Sequence, residues 1–378
     1  MINFAEKNFM MDEKDTLKPQ VDTLFEKVTT LIDEARKRIR TAINLSMVYT
    51  YFGIGQFIVE DELQGKYRAS YGKRVLDSLS ERLTARYGAG WSVETLRKCR
   101  QFYQTYSDRI QSTVSTESSS ESIPPNSVYA VDRNQGQSAV VPEFVLDWSH
   151  YLVLMRVKDP NARRFYEVES LKSNWNVRQL QRQVASSLYE RIALSRDKKE
   201  VMRLANEGNV IEKPSDLIKN PLTLEFLGLK PESAYTETKL ESAIIDKMQH
   251  FLLELGKGFL FEARQKRFTF DEDHYVVDLV FYNRLLQCYV LIDLKINKLT
   301  HQDLGQMQMY VNYYDRYIKQ PFEKPTVGIL LCKEKKDTMV KLTLPENANI
   351  YAAEYALYLP DKNELQRKLQ DWIEEFSE

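Results

Sequence analysis

Residues 276–314 read VVDLVFYNRLLQCYVLIDLKINKLTHQDLGQMQMYVNYY, and the fold turns on how this stretch is divided. VVDLVFY and CYVLIDLK are short apolar runs rich in β-branched and aromatic residues, which marks strands, and the brief RLLQ between them marks a hairpin. Each strand carries acid where apolar residues would suffice. Asp278 sits in the first, and Asp293 and Lys295 sit two residues apart in the second, on one side of it. A buried unpaired charge is costly, so such charges have partners or a task. In a hairpin whose matching sides carry these residues, two carboxylates and an ammonium converge. Asp278 and Asp293 then suit a hard divalent cation held through oxygen, and Mg²⁺ is satisfied by one or two carboxylates with water and a phosphate. Lys295 is placed to orient or deprotonate a water, or to neutralise charge developing on the phosphate.

Outward from this hairpin the same domain continues on both sides. Residues 237–255 carry the period of a helix, and FLFEARQKRFTF (259–270) reads as a strand. HQDLGQMQMYVNYYDRYI (301–318) reads as a helix, PTVGILLC and ANIYAAEY as strands, and DKNELQRKLQDWIEEF as a terminal helix. The order α-β-β-β-α-β-β-α predicts an α/β domain with a mixed central sheet over residues 233–378. On the 259–270 strand, Arg264 and Lys266 share a side and are candidates for following a phosphate backbone.

The first 206 residues lack this strand pattern and predict an all-helical domain. Val21, Leu24, Val28, Leu31, Ala35, Ile39 and Ala42 recur at helical steps within a long helix over 19–62, a candidate packing or self-association seam. Leu76, Leu79 and Leu83 mark a second helix. GAGW forms a turn, and Ser92 is placed to cap a helix reaching Tyr106. On that helix Leu96, Cys99, Tyr103 and Tyr106 form one stripe, while Arg97, Arg100, Gln101 and Gln104 form another. Helix, glycine turn and a helix with an Arg/Gln face are compatible with helix-turn-helix or winged-helix DNA recognition. The Ser-rich stretch 107–141, with Pro124-Pro125, predicts a flexible insert. Two helices are expected in WSHYLVLMRVKDPNARRFYEVES and NWNVRQLQRQVASSLYERIALS, joined at 172–175. Residues 207–232, with their prolines, predict a linker. His150 reads as a packing residue.

Composition narrows the function. Lys and Arg number 53 against 54 acids, so no global basic excess announces nucleic acid. The spread is uneven: residues 31–110 hold 14 bases against 9 acids, so a basic face is compatible with the neutral total. Three scattered cysteines offer neither zinc spacing nor a disulfide framework. No apolar run is expected to reach membrane-spanning length, and the acidic N-terminus is unlike a signal peptide. These features predict a cytoplasmic protein with no membrane association.

Asp278, then Asp293-x-Lys295 fifteen positions on, resembles the PD-(D/E)XK nuclease superfamily, whose core is α-β-β-β-α-β. Gln306-Met307-Gln308-Met309-Tyr310 is similar to the Q-x-x-x-Y element of one branch. FLLELGKGFLFEARQKRFTF, DLVFYN, LIDLK and LTHQDLGQMQMYVNYYD, with ERLTARYGAGWSVETLRKCRQFY, GIGQFIVEDE, WSHY and ARRFYE, resemble the YhcG family of bacterial nuclease-like proteins. The resemblance implies an N-terminal DNA-recognition domain and a C-terminal metal-dependent nuclease. It implies Asp278 and Asp293 as ligands of Mg²⁺, with Mn²⁺ as a substitute, the Leu294 carbonyl and an acid of the preceding helix as further ligands (Glu241, with Glu237 and Asp246 as rivals), and Lys295 as the catalytic lysine. Gln306 and Tyr310 would line the site or the substrate path. DNA is the implied partner, a homodimer the implied assembly, and no small-molecule cofactor beyond the metal is implied. Two rival readings remain at this level: a catalytically silent nucleic-acid-binding or assembly module of nuclease fold, and an RNA-directed nuclease.

Overall fold

The computed structural model describes residues 25, 27–33, 42–62, 69–107, 144–194, 198–219, 221–229, 235–270, 272–345 and 347–374. The Ser-rich insert expected over 107–141 lies outside them apart from Ser107, as do parts of the expected first helix and of the 207–232 linker. The chain forms two compact units, Met1–Arg156 and Val157–Glu378.

The first unit is helical: α1 (Ala42–Glu62), α2 (Ala69–Tyr87), α3 (Val93–Tyr106) and the short α4 (Trp148–Leu154). Its core is aromatic. Phe102 meets Phe52, Tyr106, Phe144, Trp148 and Tyr151 with ring centroids between 4.9 and 5.7 Å, a spacing at which ring pairs attract beyond simple burial. Gly55 lets two helices approach closely, because a Cβ there would stand 2.1 Å from the Cys99 carbonyl oxygen. Ser92 caps α3 as its sequence position suggests, accepting from the Thr95 N–H. By length and composition alone, α1 is apolar enough to cross a membrane, which corrects the reading that no run reaches that length. The hydrophobic residues are bounded by charges at 60–62, which obscures the run in the sequence; Val48, Phe52 and Ile58 are buried among the unit's own residues.

The second unit begins with helices shorter than the two that the sequence predicts. The first expected helix divides before α5 (Pro160–Lys172), where Asp159 caps the new start and Pro160 occupies its first turn. The second divides into α6 (Val177–Ala185) and α7 (Leu188–Ala193) because Ser187 takes a left-handed φ of 52°. α8 (Lys198–Glu207) packs on α5.

Then comes a six-stranded mixed sheet. Its strands are β1 (Leu222–Thr223), β2 (Phe259–Phe270), β3 (Asp273–Asn283), β4 (Cys288–Lys298), β5 (Val327–Glu334) and β6 (Ile350–Ala356), in spatial order β1-β6-β5-β4-β3-β2. β2, β3 and β4 are antiparallel neighbours; β4, β5, β6 and β1 run parallel. The expected α-β-β-β-α-β-β-α order is therefore present, with additions. The helix expected over 237–255 breaks at Lys247 into α9 (Glu237–Asp246) and α10 (Met248–Leu255). α11 (His301–Tyr313) ends in a π-helical turn, Tyr314–Ile318. α12 (Asp337–Thr343) and α13 (Lys362–Glu374) complete the unit. Within the expected linker, Leu217, Leu222 and Leu224 are buried in the main core, so part of that segment is an edge of the sheet.

Alternation sorts the central strands between two cores. Leu279, Ile292, Leu294 and Leu331 pack with Leu240, Ile244, Phe251 and Leu255 of α9 and α10. Val280, Leu291, Leu330 and Cys332 pack with Leu304, Met307, Tyr310 and Val311 of α11. A buried ionic network joins the helices to the sheet. Glu254 of α10 and Arg191 of α7 are wholly buried and 2.6 Å apart. Arg182 reaches the other Glu254 oxygen at 3.0 Å, and the Thr223 amide donates to Oε1 at 2.9 Å. Lys219, also buried, donates to the Glu254 carbonyl.

Candidate active site

The β3–β4 register pairs Leu279 with Ile292 and Val280 with Leu291. One step further along that register lies Asp278 opposite Asp293, so both acids point to the same side. Instead of another strand-to-strand bond at this point, the Leu294 N–H donates to Asp278 Oδ2 at 2.8 Å. The hairpin thus opens where the acids meet, and the Asp278 side chain takes over as acceptor for a strand amide.

Asp293 is only 4% exposed. Burial pushes its carboxyl up to about 7, and the adjacent Asp278 adds to this, while the Lys295 ammonium pulls it back. Lys295 Nζ stands 2.8 Å from Asp293 Oδ2, an ion pair that ties the two charges of this strand together. Burial works against the charged form of Lys295, but Asp293 chiefly, with Glu237 and Asp303, outweighs it and raises the pKa. Asp303, 4.0 Å from Lys295 Nζ, was not among the residues expected from sequence. It is brought there by the start of α11, where Thr300 caps the helix and Asp303 returns a bond to the Thr300 N–H at 2.8 Å. His301, in the first turn, is exposed.

Glu241 on α9 is 3% exposed and faces β2. Its Oε1 accepts from Arg264 Nε and its Oε2 from the Gln265 side-chain amide, each at 2.5 Å. The same Gln265 nitrogen donates to Asp278 Oδ1 at 3.0 Å, so Glu241 stands one amide away from Asp278. Gln265 is the second residue that the sequence reading missed. It is an ordinary polar residue in a strand, and only its left-handed φ of 48° turns it toward the acids. Arg264, expected as a phosphate contact, is committed to Glu241 and to Ser242 Oγ; Lys266 is exposed. On α11, Gln306 donates to the Tyr310 hydroxyl at 2.6 Å. Tyr310 is buried, and burial, then Asp293, push its hydroxyl up to about 12. In the first unit, Arg97, Gln101 and Gln104 are exposed along one face of α3, whereas Arg100 pairs with Glu62 at 2.8 Å.

Among the described residues no group of three or more His, Cys, Asp or Glu side chains stands close enough to hold a metal by itself. The acids form a pair, Asp278 and Asp293, with Glu241 behind Gln265. A divalent cation fits this pair. The donors are hard carboxylate oxygens on two facing strands, and Mg²⁺ needs only one or two of them, with water and phosphate completing its shell.

Residues 215–370 match the YhcG PDDEXK nuclease domain, and residues 27–191 match the DUF1016 N-terminal domain. The "Putative nuclease YhcG" of Escherichia coli (strain K12) is 38% identical over 341 residues, covering 89% of this chain and 90% of that protein. The chain belongs to the YhcG family. The region that matches the nuclease domain includes Asp278, Asp293 and Lys295. Among solved structures, a repair endonuclease from Pyrococcus abyssi aligns over 34% of this chain and 50% of its own, at 21% identity and a TM-score of 0.23. An EndoMS–dsDNA complex aligns over 35% and 48%, at 19% and 0.25. The chain spans about half the length of these solved chains.

Proposed function

We propose that this YhcG-family protein is a divalent-metal-dependent nuclease that hydrolyses DNA phosphodiester bonds. The observation that carries the reading is the cross-strand pair Asp278 and Asp293 with Lys295 on the same strand as Asp293. Asp278 and Asp293 would hold the cation, Mg²⁺ or Mn²⁺, and the Leu294 carbonyl lies on the same strand step as a further oxygen. When bound, the cation supplies Lewis acidity at the phosphate and favours an ionised water. Lys295 orients the attacking water and offsets charge that develops on the phosphate oxygens. Asp303 and Asp293 hold its ammonium between them, which restricts where the charge can point. Gln306 and Tyr310, bonded to each other, form the wall on the helix side, and Tyr310 keeps that wall dry. We assign DNA as the substrate because Arg97, Gln101 and Gln104 present an exposed polar row at helical spacing, suited to phosphates and base edges. Lys266 on β2 adds an exposed cation on the nuclease side. A homodimer is part of this reading, since two sites are needed to cut two strands together.

The test is cleavage of linear, branched and single-stranded DNA and of matched RNA duplexes by the full chain with Mg²⁺. Asp293→Ala and Lys295→Ala serve as controls. Metal-dependent cutting of DNA that both substitutions abolish supports the assignment. Equal trace activity in all three proteins leaves only a binding module of nuclease fold, and cutting confined to RNA reassigns the substrate. Light scattering at micromolar concentration reads the assembly state.

A further inference from the structure

Asp278 has both carboxylate oxygens engaged, and the two donors differ in kind. The Leu294 N–H on Oδ2 belongs to the backbone of a central strand and cannot leave without opening the sheet. The donor on Oδ1 is the tip of the Gln265 side chain, at the outer strand of the sheet. The same nitrogen also holds Glu241 Oε2. Carboxylates only accept, so the Gln265 atom between them must be the NH₂ group, whose two hydrogens serve one acid each. An uncharged group with two donors therefore occupies the space between two acids, the place a cation would prefer. The backbone supports this aim at a cost: Gln265 adopts φ of 48°, a conformation ordinary side chains seldom hold, between Arg264, which pairs with Leu279, and Lys266, which pairs with Val277.

We propose that Gln265 is a positioning residue that closes the acid site in the metal-free protein and is displaced from Asp278 when a divalent cation binds. The inference rests on the metal-dependent reading above. Displacing this one side chain frees Asp278 Oδ1 and Glu241 Oε2 together. Capture of a cation at the strand pair thereby releases a third acid that the metal-free arrangement keeps occupied. Arg264 remains on the other Glu241 oxygen and holds that acid in place.

The test is calorimetric titration of Mn²⁺ into the EDTA-stripped full chain, with the free-ion Mn²⁺ resonance as a second readout. Gln265→Gly removes the amide and suits the left-handed backbone. Gln265→Asn keeps an amide and tolerates that backbone, but is too short to span both acids. Both variants are expected to bind Mn²⁺ at least about threefold more tightly than the wild type, the change that losing one ordinary hydrogen bond from the metal-free state implies. Unchanged or weaker binding, beside a wild type that binds, overturns the displacement and makes Gln265 a permanent support of the site. A wild type and variants that all fail to bind Mn²⁺ saturably overturn the metal-dependent reading, and this inference with it. Wild-type binding that persists in Asp278→Asn places the ion elsewhere and overturns the inference while leaving cleavage to be judged by its own assay.

Discussion

The Leu294 amide is bonded to the Asp278 carboxylate, 2.8 Å away, in the place where an antiparallel ladder would offer a carbonyl. One side chain therefore has two duties, holding the strand and, in the proposed reaction, holding the ion. The two duties separate by substitution. Asp278→Asn retains a side-chain oxygen for the Leu294 N–H, whereas Asp278→Ala leaves that amide without its acceptor. Both are expected to lose cleavage by at least about a hundredfold, the scale of removing an electrostatic contributor to catalysis. Only the alanine variant is expected to lose stability as well, by about 1–3 kcal/mol, as read from urea unfolding.

Asp293 is buried next to a second acid. In the proposed reading such an arrangement serves an ion rather than the fold. Asp293→Asn removes the repulsion from Asp278 and the buried carboxylate while keeping the shape, and Asp303 stays beside Lys295 as its remaining counter-charge. Its melting temperature in EDTA is expected to exceed that of the wild type at neutral pH, while cleavage disappears. A lower melting temperature would show that the acid is a structural anchor.

Glu254 shows the opposite balance. Burial alone would raise its pKa, yet Arg191, Lys219 and Arg182 overcome burial and hold it at about 2, below its ordinary 4.5. A depressed carboxyl stabilises the fold above its unfolded pKa and loses that contribution on protonation. Stability is thus expected to fall as pH drops from about 4.5 toward 2, and Glu254→Gln should flatten that part of the profile. At pH 7 the same substitution leaves Arg191 buried without its counter-charge and is expected to cost about 3–5 kcal/mol. Urea titrations across pH measure both effects.

Gly55→Ala tests the helical unit. The added methyl would meet the Cys99 carbonyl carbon at 2.7 Å as well as its oxygen, and backbone cannot step aside as a side chain can. A loss of about 1–3 kcal/mol or more is expected from forcing the helices apart, read as a lower midpoint for the aromatic near-UV signal of Phe102 and its neighbours.

Arg97, Gln101 and Gln104 test the recognition role. Replacing all three by alanine is expected to weaken DNA binding in Ca²⁺ without changing the melting temperature, since all three are exposed. Replacing Arg97 alone should reduce the salt dependence of binding by about one phosphate contact.

How far the fold can be read in the sequence depends on how local its causes are. β2 begins and ends where its apolar and aromatic residues predict, and Ser92 caps α3 because the cap bond spans three residues. β1 is two residues long and exists only through its pairing with β6, more than 130 residues away, so no local pattern announces it. The helical period runs through Lys247 without a proline or glycine, which hides the break between α9 and α10. At the site, Asp278, Asp293 and Lys295 were legible because charge inside an apolar strand is conspicuous. Gln265 and Asp303 were not. A glutamine in a polar stretch looks like surface, and Asp303 reads as a helix cap, which it also is.

The network around Glu254 also fixes where the protein can be divided. The matched nuclease region starts at residue 215, but Arg182 and Arg191 lie upstream of it. A fragment cut at 215 would fold, if at all, around an acid whose guanidinium neighbours had been amputated. The smallest autonomously folding piece that holds the sheet is therefore expected to start near Val157, and the sheet cannot be transplanted into another protein without bringing those upstream helices along.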